Sequence, residues 1–204
     1  MRRGGGSTRP PILVLALAAA FVLLVAALLI GSFTRPEFPP YSLTAPPARS
    51  GSGTVGDSLV GPSTYTLDAS AGDAWRRFHF ARNAVVEEGA WDIAFRRHHV
   101  IAAPGAGIAD LGAVAFDSVR EVPAQGYAPT EFGRDTLNPG VGRWYAYSML
   151  SHLLTSKGHV YAVRAADGRY AKLEILAYYC RDVGAACYTV RYAFQGAGSR
   201  RVAQ

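Results

Sequence analysis

Residues Val160–Phe194 read VYAVRAADGRYAKLEILAYYCRDVGAACYTVRYAF, and this stretch decides the predicted fold. Apolar residues recur in it with a period of two, which is typical of β-strands. The dipeptide Asp167-Gly168 is a strong signal for a two-residue hairpin turn. Such a turn predicts two cross-strand pairs, Ala162 with Leu173 and Val160 with Ile175.

A third strand can be placed from the two cysteines. Setting Cys180 opposite Cys187 brings four pairs to one apolar face: Tyr179 with Tyr188, Ala177 with Val190, Ile175 with Tyr192, and Leu173 with Phe194. The opposite face then carries Lys172, Glu174, Tyr178, Thr189 and Arg191. Both hairpins agree on which face is core, so the sequence predicts a three-stranded antiparallel meander.

This register also predicts a disulfide bond. Cys180 and Cys187 become direct cross-strand neighbours on the polar face, within reach of a bond that closes the short loop over residues 181–186. A disulfide is the expected state if the domain lies outside the cytoplasm. The alternative is a reduced pair of small apolar residues.

The rest of the chain from about Tyr65 also reads as short strands separated by turn signals. In the segment WDIAFR, the residues Trp91, Ile93 and Phe95 fall on one face of a strand, whereas Asp92 and Arg96 fall on the other. We therefore expect a mostly β protein with a single antiparallel domain over residues 65–204.

The N-terminal region predicts one transmembrane helix over residues 12–31. All residues from Ile12 to Ile30 are apolar, and at about 1.5 Å per residue this length matches the hydrocarbon thickness of a bilayer. Basic residues at positions 2, 3 and 9 precede the helix, which keeps residues 1–11 in the cytoplasm by the positive-inside rule. The sequence therefore predicts a single-pass membrane protein whose C-terminal domain lies outside the cytoplasm.

A cleaved signal peptide is the alternative to an anchor. Its apolar core is normally about 7 to 15 residues long and ends at a small-residue cleavage site, and neither condition fits here. No cysteine precedes Cys180, so the lipid-anchoring route is absent as well. Residues 32–64 are rich in Pro, Gly and Ser and are expected to form a linker.

Composition and motifs exclude several classes of function. The formal net charge is +6, but five of the arginines (Arg2, Arg3, Arg9, Arg35 and Arg49) lie outside the predicted domain, whose remaining charges are mixed in sign. The sequence shows no cluster of basic residues that could follow the phosphate backbone of a nucleic acid, so nucleic acid is not a predicted partner. The chain also lacks the zinc-hydrolase, serine-hydrolase, phosphate-loop and covalent-haem motifs, and we expect no enzymatic activity.

Histidine and methionine side chains supply the candidate ligands. His152 follows the aromatic segment Trp144–Tyr147 and is the best candidate for a haem ligand, with Met149, His159 and His99 as weaker ones. The alternative for each histidine is a hydrogen-bonded side chain at a strand end. His98 should point away from His99, because adjacent residues of a regular strand face opposite ways. His79 lies out of phase with its phenylalanine neighbours and is expected to be solvated or loosely packed.

The order of these motifs resembles the HmuY-like haem-binding family. The matching segments are WDIAFRR at 91–97, LG at 111–112, FDSV at 116–119, WYAY at 144–147, HLL at 152–154, YAVR at 161–164 and DGRYAKLEIL at 167–176. The resemblance covers roughly residues 65 to 198 and implies a mostly β domain of the bacterial envelope that binds rather than catalyses. Some members hold haem between paired His or paired Met ligands and carry a lipid anchor, which is replaced here by a spanning helix.

Two functions are therefore expected. In the first, a membrane-anchored periplasmic domain binds haem or a related tetrapyrrole without a covalent bond. In the second, the chain is an accessory subunit of a larger integral-membrane complex, for instance a photosynthetic or respiratory one. The small residues Ala16, Ala18, Ala19, Ala20, Ala26 and Ala27 would then allow close packing of its helix.

Overall fold

The structure is a computed structural model that describes residues 11–33, 59–180 and 184–203. In chain order, its elements are α1 (Ile12–Phe33), β1 (Leu59–Asp68), β2 (Arg76–His79), β3 (Ala84–Val86), β4 (Ile93–Arg96), β5 (His99–Ala102), β6 (Gly107–Asp110), a 3₁₀ turn (Phe116–Ser118), β7 (Tyr145–Tyr147), β8 (Leu154–Ser156), β9 (Val160–Arg164), β10 (Tyr170–Tyr179) and β11 (Ala185–Gln195). The protein is thus mostly β with one N-terminal apolar helix, as the sequence predicts.

These elements form two compact units. The first unit contains α1 together with the segment Tyr147–Leu153. In α1 the stretch Ile12–Gly31 is long and apolar enough to cross a membrane, and its side chains are largely exposed. The second unit contains the strands of the β domain, except that Tyr147 at the end of β7 belongs to the first unit.

Two antiparallel sheets enclose the main core of the β domain. One has the strand order β1-β11-β10-β9-β6, the other has the order β3-β2-β4-β5, and a two-stranded sheet pairs β7 with β8. Phe78 of the second sheet and Phe80, which directly follows β2, pack against Tyr192 of the first sheet, with ring centroids 5.4 and 5.2 Å from it. All three side chains are excluded from water, so this aromatic contact is a major source of the stability of the domain.

The predicted meander is confirmed, since β9, β10 and β11 are antiparallel neighbours. The pairing of β9 with β10 is one residue away from the prediction, because Leu173 lies opposite Tyr161 rather than Ala162. The turn is a three-residue loop over residues 166–168 that ends at Gly168 with φ of +83°. A one-residue slip exchanges the faces of a strand, so Tyr161 and Val163 face the main core.

The pairing of β10 with β11 is shifted by two residues, which preserves the faces. Ile175 lies opposite Val190 instead of Tyr192, and both residues still face the main core. An irregularity after Ile175 then changes the phase, so that Tyr178 is buried in the main core and not on the predicted polar face.

The opposite face of this sheet is also covered. Lys172 is only 2% exposed, and its ammonium group donates to the carbonyl oxygens of Phe116 and Val119 at 2.8 Å each. Its nitrogen also lies 4.3 Å from the ring centroid of Phe116. The 3₁₀ turn therefore covers a face that the sequence pattern indicates is polar.

The predicted disulfide bond is present between Cys180 and Cys187, whose Cα atoms lie 4.9 Å apart. The sheet begins earlier than expected, because β1 starts at Leu59 and residues 59–64 therefore belong to a strand rather than to the linker. Pro62 is accommodated there because β1 is an edge strand with an irregular register between Val60 and Ser63. Residues 32 and 33 of the predicted linker belong to α1, and residues 34–58 lie outside the described residues.

The strand faces around Trp91 agree with the sequence pattern, since Ile93 and Phe95 are buried in the main core and Trp91 packs against it. The expectation of a solvated His79 is wrong. Its side chain is 13% exposed, and its Nδ1 atom lies 3.5 Å from Oδ2 of Asp92. Asp92 is buried as well and accepts a hydrogen bond of 2.7 Å from the backbone N–H of Phe80.

Candidate functional site

The turn between β4 and β5 brings two histidines together. Arg96 pairs with His99, so Arg97 and His98 form a two-residue turn in which Arg97 has a φ of +52°. The imidazole rings of His98 and His99 lie 4.1 Å apart, centroid to centroid, at an interplanar angle of 35°. The expectation that they face opposite ways is wrong, because the strand alternation does not extend through the turn.

Contacts from two other segments hold this turn in place. The buried indole of Trp144 donates a hydrogen bond of 3.0 Å to the backbone carbonyl of His98. The backbone N–H of Arg97 donates to the carbonyl oxygen of Ala69 at 2.8 Å. The ring of Tyr145 meets that of His98 edge-on at 5.9 Å. These contacts therefore hold in place the turn that carries the two imidazoles.

A cleft of about 360 Å³ opens beside the histidine pair. It is lined by His98, His99, Val100, Leu137, Asn138, Pro139, Gly142, Arg143 and Tyr145. Its volume is within the roughly 300 to 1,000 Å³ that small-molecule and cofactor sites occupy. A shallower depression on the same two histidines is lined by Gly72, Arg96, Arg97 and Tyr178. We call the first of these the histidine cleft.

A buried polar network supports one wall of the histidine cleft. Asn138 is fully buried, and its amide group donates to the carbonyl of Ala128 at 2.9 Å and to the hydroxyl of Thr130 at 3.3 Å. The Thr130 hydroxyl in turn donates to the carbonyl of Ala102, at the end of β5, at 2.8 Å. A network whose members are satisfied in this way holds the wall rigidly.

The electrostatics of the cleft favour neutral imidazoles. Burial lowers the pKa of the His98 side chain from its usual 6.5. Burial also lowers the pKa of the His99 side chain, and the neighbouring His98 and Arg96 lower it further. Both rings are therefore uncharged at neutral pH, which is the form that donates a lone pair to a metal ion.

His152 and Met149 lie together in the segment Tyr147–Leu153. The ring nitrogen Nδ1 of His152 is hydrogen-bonded to the hydroxyl of Tyr147. Met149 is 73% exposed. The two candidates thus share one loop, in which Met149 is largely exposed.

His159 forms a pair with Asp110. Its Nδ1 atom lies 2.9 Å from Oδ2 and 3.0 Å from Oδ1 of that carboxylate. A carboxylate accepts hydrogen bonds, so Nδ1 of His159 donates to Asp110. His159 is therefore held as a hydrogen-bonded side chain at a strand end.

Of the four candidate ligands from the sequence, only Met149 and His152 share a segment. Among the residues that the structure describes, no three His, Cys, Asp or Glu side chains are grouped for metal binding. Sequence reasoning missed the contributions of His98, Tyr145 and Arg143. The turn at Arg97 contains no Gly, Pro or Asn, so no turn signal was available to show that His98 joins His99.

Comparison with known proteins identifies the architecture. The apo HmuY analogue of Tannerella forsythia superposes with a TM-score of 0.57 at 15% sequence identity, covering 68% of this chain and 97% of that one. The chain has the HmuY-like fold. No protein-family model and no curated protein sequence matches it.

Two further structures have the same HmuY-like fold. A Bacteroides vulgatus protein described as HmuY-like and haem-binding has a TM-score of 0.57 at 18% identity, covering 67% of this chain and 96% of that one. A Bacteroides fragilis protein described as a lipoprotein has a TM-score of 0.55 at 14% identity, with coverages of 65% and 88%. At such low identities the HmuY-like fold is shared, and function has to be argued from the site.

Proposed function

We propose that the chain is a membrane-anchored, non-enzymatic protein that binds haem or a related tetrapyrrole without a covalent bond. The observation that carries this proposal is the supported pair of neutral imidazoles, His98 and His99, at the histidine cleft. The HmuY-like fold adds support, because a structure that shares it is described as haem-binding.

The residues of the histidine cleft match the three chemical parts of haem. An imidazole of His98 or His99 supplies the nitrogen ligand that haem iron accepts. Tyr145 and Leu137 offer an aromatic and an aliphatic wall for the macrocycle. Arg143, at the same cleft, is the cation for a propionate carboxylate.

One imidazole of this pair would hold the iron of a bound haem. The two rings lie side by side and do not face each other across a gap, so they are not suited to bind opposite faces of one haem. His152, Met149 and His159 are not among the residues that line the histidine cleft, so each would belong to a separate site.

Haemin titration of the full-length chain in detergent micelles tests the proposal. We expect a saturable Soret shift that is lost in His98→Ala/His99→Ala and retained in His159→Asn, which keeps a hydrogen-bonding group beside Asp110. If His152→Ala abolishes the shift and the double variant does not, the site lies in the loop and not in the histidine cleft. Absence of any saturable shift with the wild-type chain would show that haem binding is wrong.

The proposed topology places residues 1–11 in the cytoplasm, α1 across the bacterial inner membrane and the β domain in the periplasm. It is supported by the basic residues before α1 and by the disulfide between Cys180 and Cys187, a bond that persists in oxidising compartments. Protease added to intact spheroplasts should remove the β domain. Protection there, with cleavage only in inverted vesicles, would reverse the orientation.

A second candidate function is that of an accessory subunit of a larger integral-membrane complex. It is favoured by exposed apolar side chains on the β domain, Phe132 at 55% and Val114 at 40%, which a docked partner would cover. After solubilisation in a mild detergent, the native chain should then migrate with other membrane subunits. Replacing residues 12–30 by an unrelated spanning helix should release it if α1 contributes to docking. Migration of the native chain alone would contradict this function.

A further inference from the structure

The segment Tyr147–Leu153, which we call the tip loop, exposes two large apolar side chains. Met149 is 73% exposed and Leu150 is 56% exposed. Neighbouring apolar side chains with such large exposed fractions mark a surface that contacts an apolar partner.

Hydrogen bonds within the tip loop keep these side chains at its end. The backbone N–H of Ser148 donates to the carbonyl of Leu153 at 2.9 Å, and the N–H of His152 donates to the carbonyl of Ser148 at 2.9 Å. The N–H of Ser151 donates to the Ser148 hydroxyl at 3.2 Å. The loop is therefore closed at its base, and Met149 and Leu150 project from it.

The tip loop lies beside the end of the apolar helix. A Cβ atom on Gly31 would lie 3.6 Å from the carbonyl oxygen of Leu150 and 3.7 Å from its Cβ. Gly31 is the last residue of the stretch that is apolar enough to span a membrane. If α1 spans the bilayer as proposed above, this contact places Leu150 where the chain leaves the hydrocarbon region.

The charge pattern of the surrounding sequence fits the same location. No Asp, Glu, Lys or Arg occurs from residue 144 to residue 156, whereas exposed Arg143 and Lys157 flank this stretch. Charged side chains are costly to bury near acyl chains, whereas Tyr rings and flanking cations are favoured at the headgroup level. The tip loop combines these features, because it includes the exposed Tyr147 and carries no formal charge.

We propose that the tip loop inserts into the outer headgroup layer of the bilayer, with Met149 and Leu150 at the boundary of the acyl chains. The occupant of this apolar surface is lipid. The inference rests on the proposed membrane span of α1, and it adds a second membrane contact beside the helix.

Depth-dependent fluorescence quenching tests this proposal in the full-length chain. Met149→Cys is labelled with an environment-sensitive dye and reconstituted into vesicles of phosphatidylcholine and phosphatidylglycerol. Phe132→Cys is the matched control, because Phe132 is a large apolar residue that is 55% exposed in the β domain. Leu24→Cys, in the middle of α1, reports on the membrane span itself. A labelling ratio of one dye per chain shows that the native disulfide is intact.

We expect the dye at position 149 to emit at shorter wavelength than the dye at position 132. A nitroxide near the lipid headgroup should quench it more than a nitroxide deep in the acyl chains, and the order should reverse for position 24. If position 24 is quenched and position 149 behaves like position 132, the tip-loop proposal is overturned and the anchor stands. A blue shift at position 149 without quenching by either lipid would mean that protein covers the loop, which also overturns the proposal. If position 24 is not quenched, the proposed membrane span is wrong, and the tip-loop proposal falls with it.

Discussion

The imidazole rings of His98 and His99 lie side by side, 4.1 Å apart, on the turn between β4 and β5. Consecutive residues in a strand point to opposite faces, so this arrangement exists only because His98 occupies the turn. The backbone of His98 is held by Trp144, a residue far away in the sequence. The candidate site thus depends on a tertiary contact as well as on two adjacent histidines.

Trp144→Phe should weaken ligand binding at the histidine cleft. The variant removes the hydrogen bond to the His98 carbonyl but keeps an aromatic ring among its neighbours. A hydrogen bond of this kind contributes about 1 kcal/mol, and we expect haemin affinity to fall roughly fivefold as the turn loosens. The measurement is a haemin titration, with Trp91→Phe as the control. Equal affinities for the two variants would show that the Trp144 bond does not position His98.

Acidification below pH 6.5 should destabilise the fold through His79. Burial lowers the pKa of this imidazole from 6.5, and nearby Arg82 lowers it further, whereas Asp92 opposes the shift without reversing it. The folded protein therefore binds the proton more weakly than the unfolded chain. The contribution of His79 to stability is complete above pH 6.5 and is lost as the pH falls towards its folded pKa.

Urea unfolding between pH 7.5 and pH 5.5 checks this dependence. The unfolding midpoint of the wild-type chain should fall with pH, and His79→Gln should show a shallower dependence because it does not titrate. The lowered pKa values of His98 and His99 act in the same direction. Burial raises the pKa of Asp92, which acts in the opposite direction, so the sign is read from the variant: a steeper dependence in His79→Gln than in the wild-type chain would contradict the lowered pKa of His79.

Lys172→Met should destabilise the β domain. The change leaves the carbonyl oxygens of Phe116 and Val119 without their buried donor, at a cost of about 1 to 3 kcal/mol in the free energy of unfolding. Lys157→Met is the control, because Lys157 is exposed and its replacement should change stability by less than about 0.5 kcal/mol. Urea denaturation of both variants measures the difference, and equal stability would mean that the two carbonyls find other donors.

Reduction of the bond between Cys180 and Cys187 should lower the free energy of unfolding by about 2 kcal/mol, as expected for closure of a short loop. Thermal unfolding with and without reductant measures the loss, and Cys180→Ser/Cys187→Ser should be insensitive to the reductant. Intact mass should be about two hydrogens lower before reduction. Alkylation of both thiols in the native, unreduced chain would contradict the disulfide.

The meander, the disulfide and the apolar helix could be predicted from the sequence because each depends on local pattern. The alternation of Leu173 and Ile175 with polar residues determines their face whatever strand lies next to them. The two cysteines come together over a short loop, so their pairing needs no distant contact. The length and composition of α1 likewise belong to a single segment.

The strand registers, the covering of the second sheet face and the histidine cleft depend on tertiary contacts. The three-residue loop before Arg169 moved the pairing of β9 by one residue, because the same Asp-Gly dipeptide is compatible with more than one hairpin turn. Lys172 is buried because a turn far away in the sequence packs on its face, and hydrophobic periodicity contains no information about such packing. His98 joins His99 through a turn without Gly, Pro or Asn, which distant partners hold in place. Local sequence therefore determined which residues form strands and which face is apolar, whereas long-range packing decided how the strands align and which polar side chains meet.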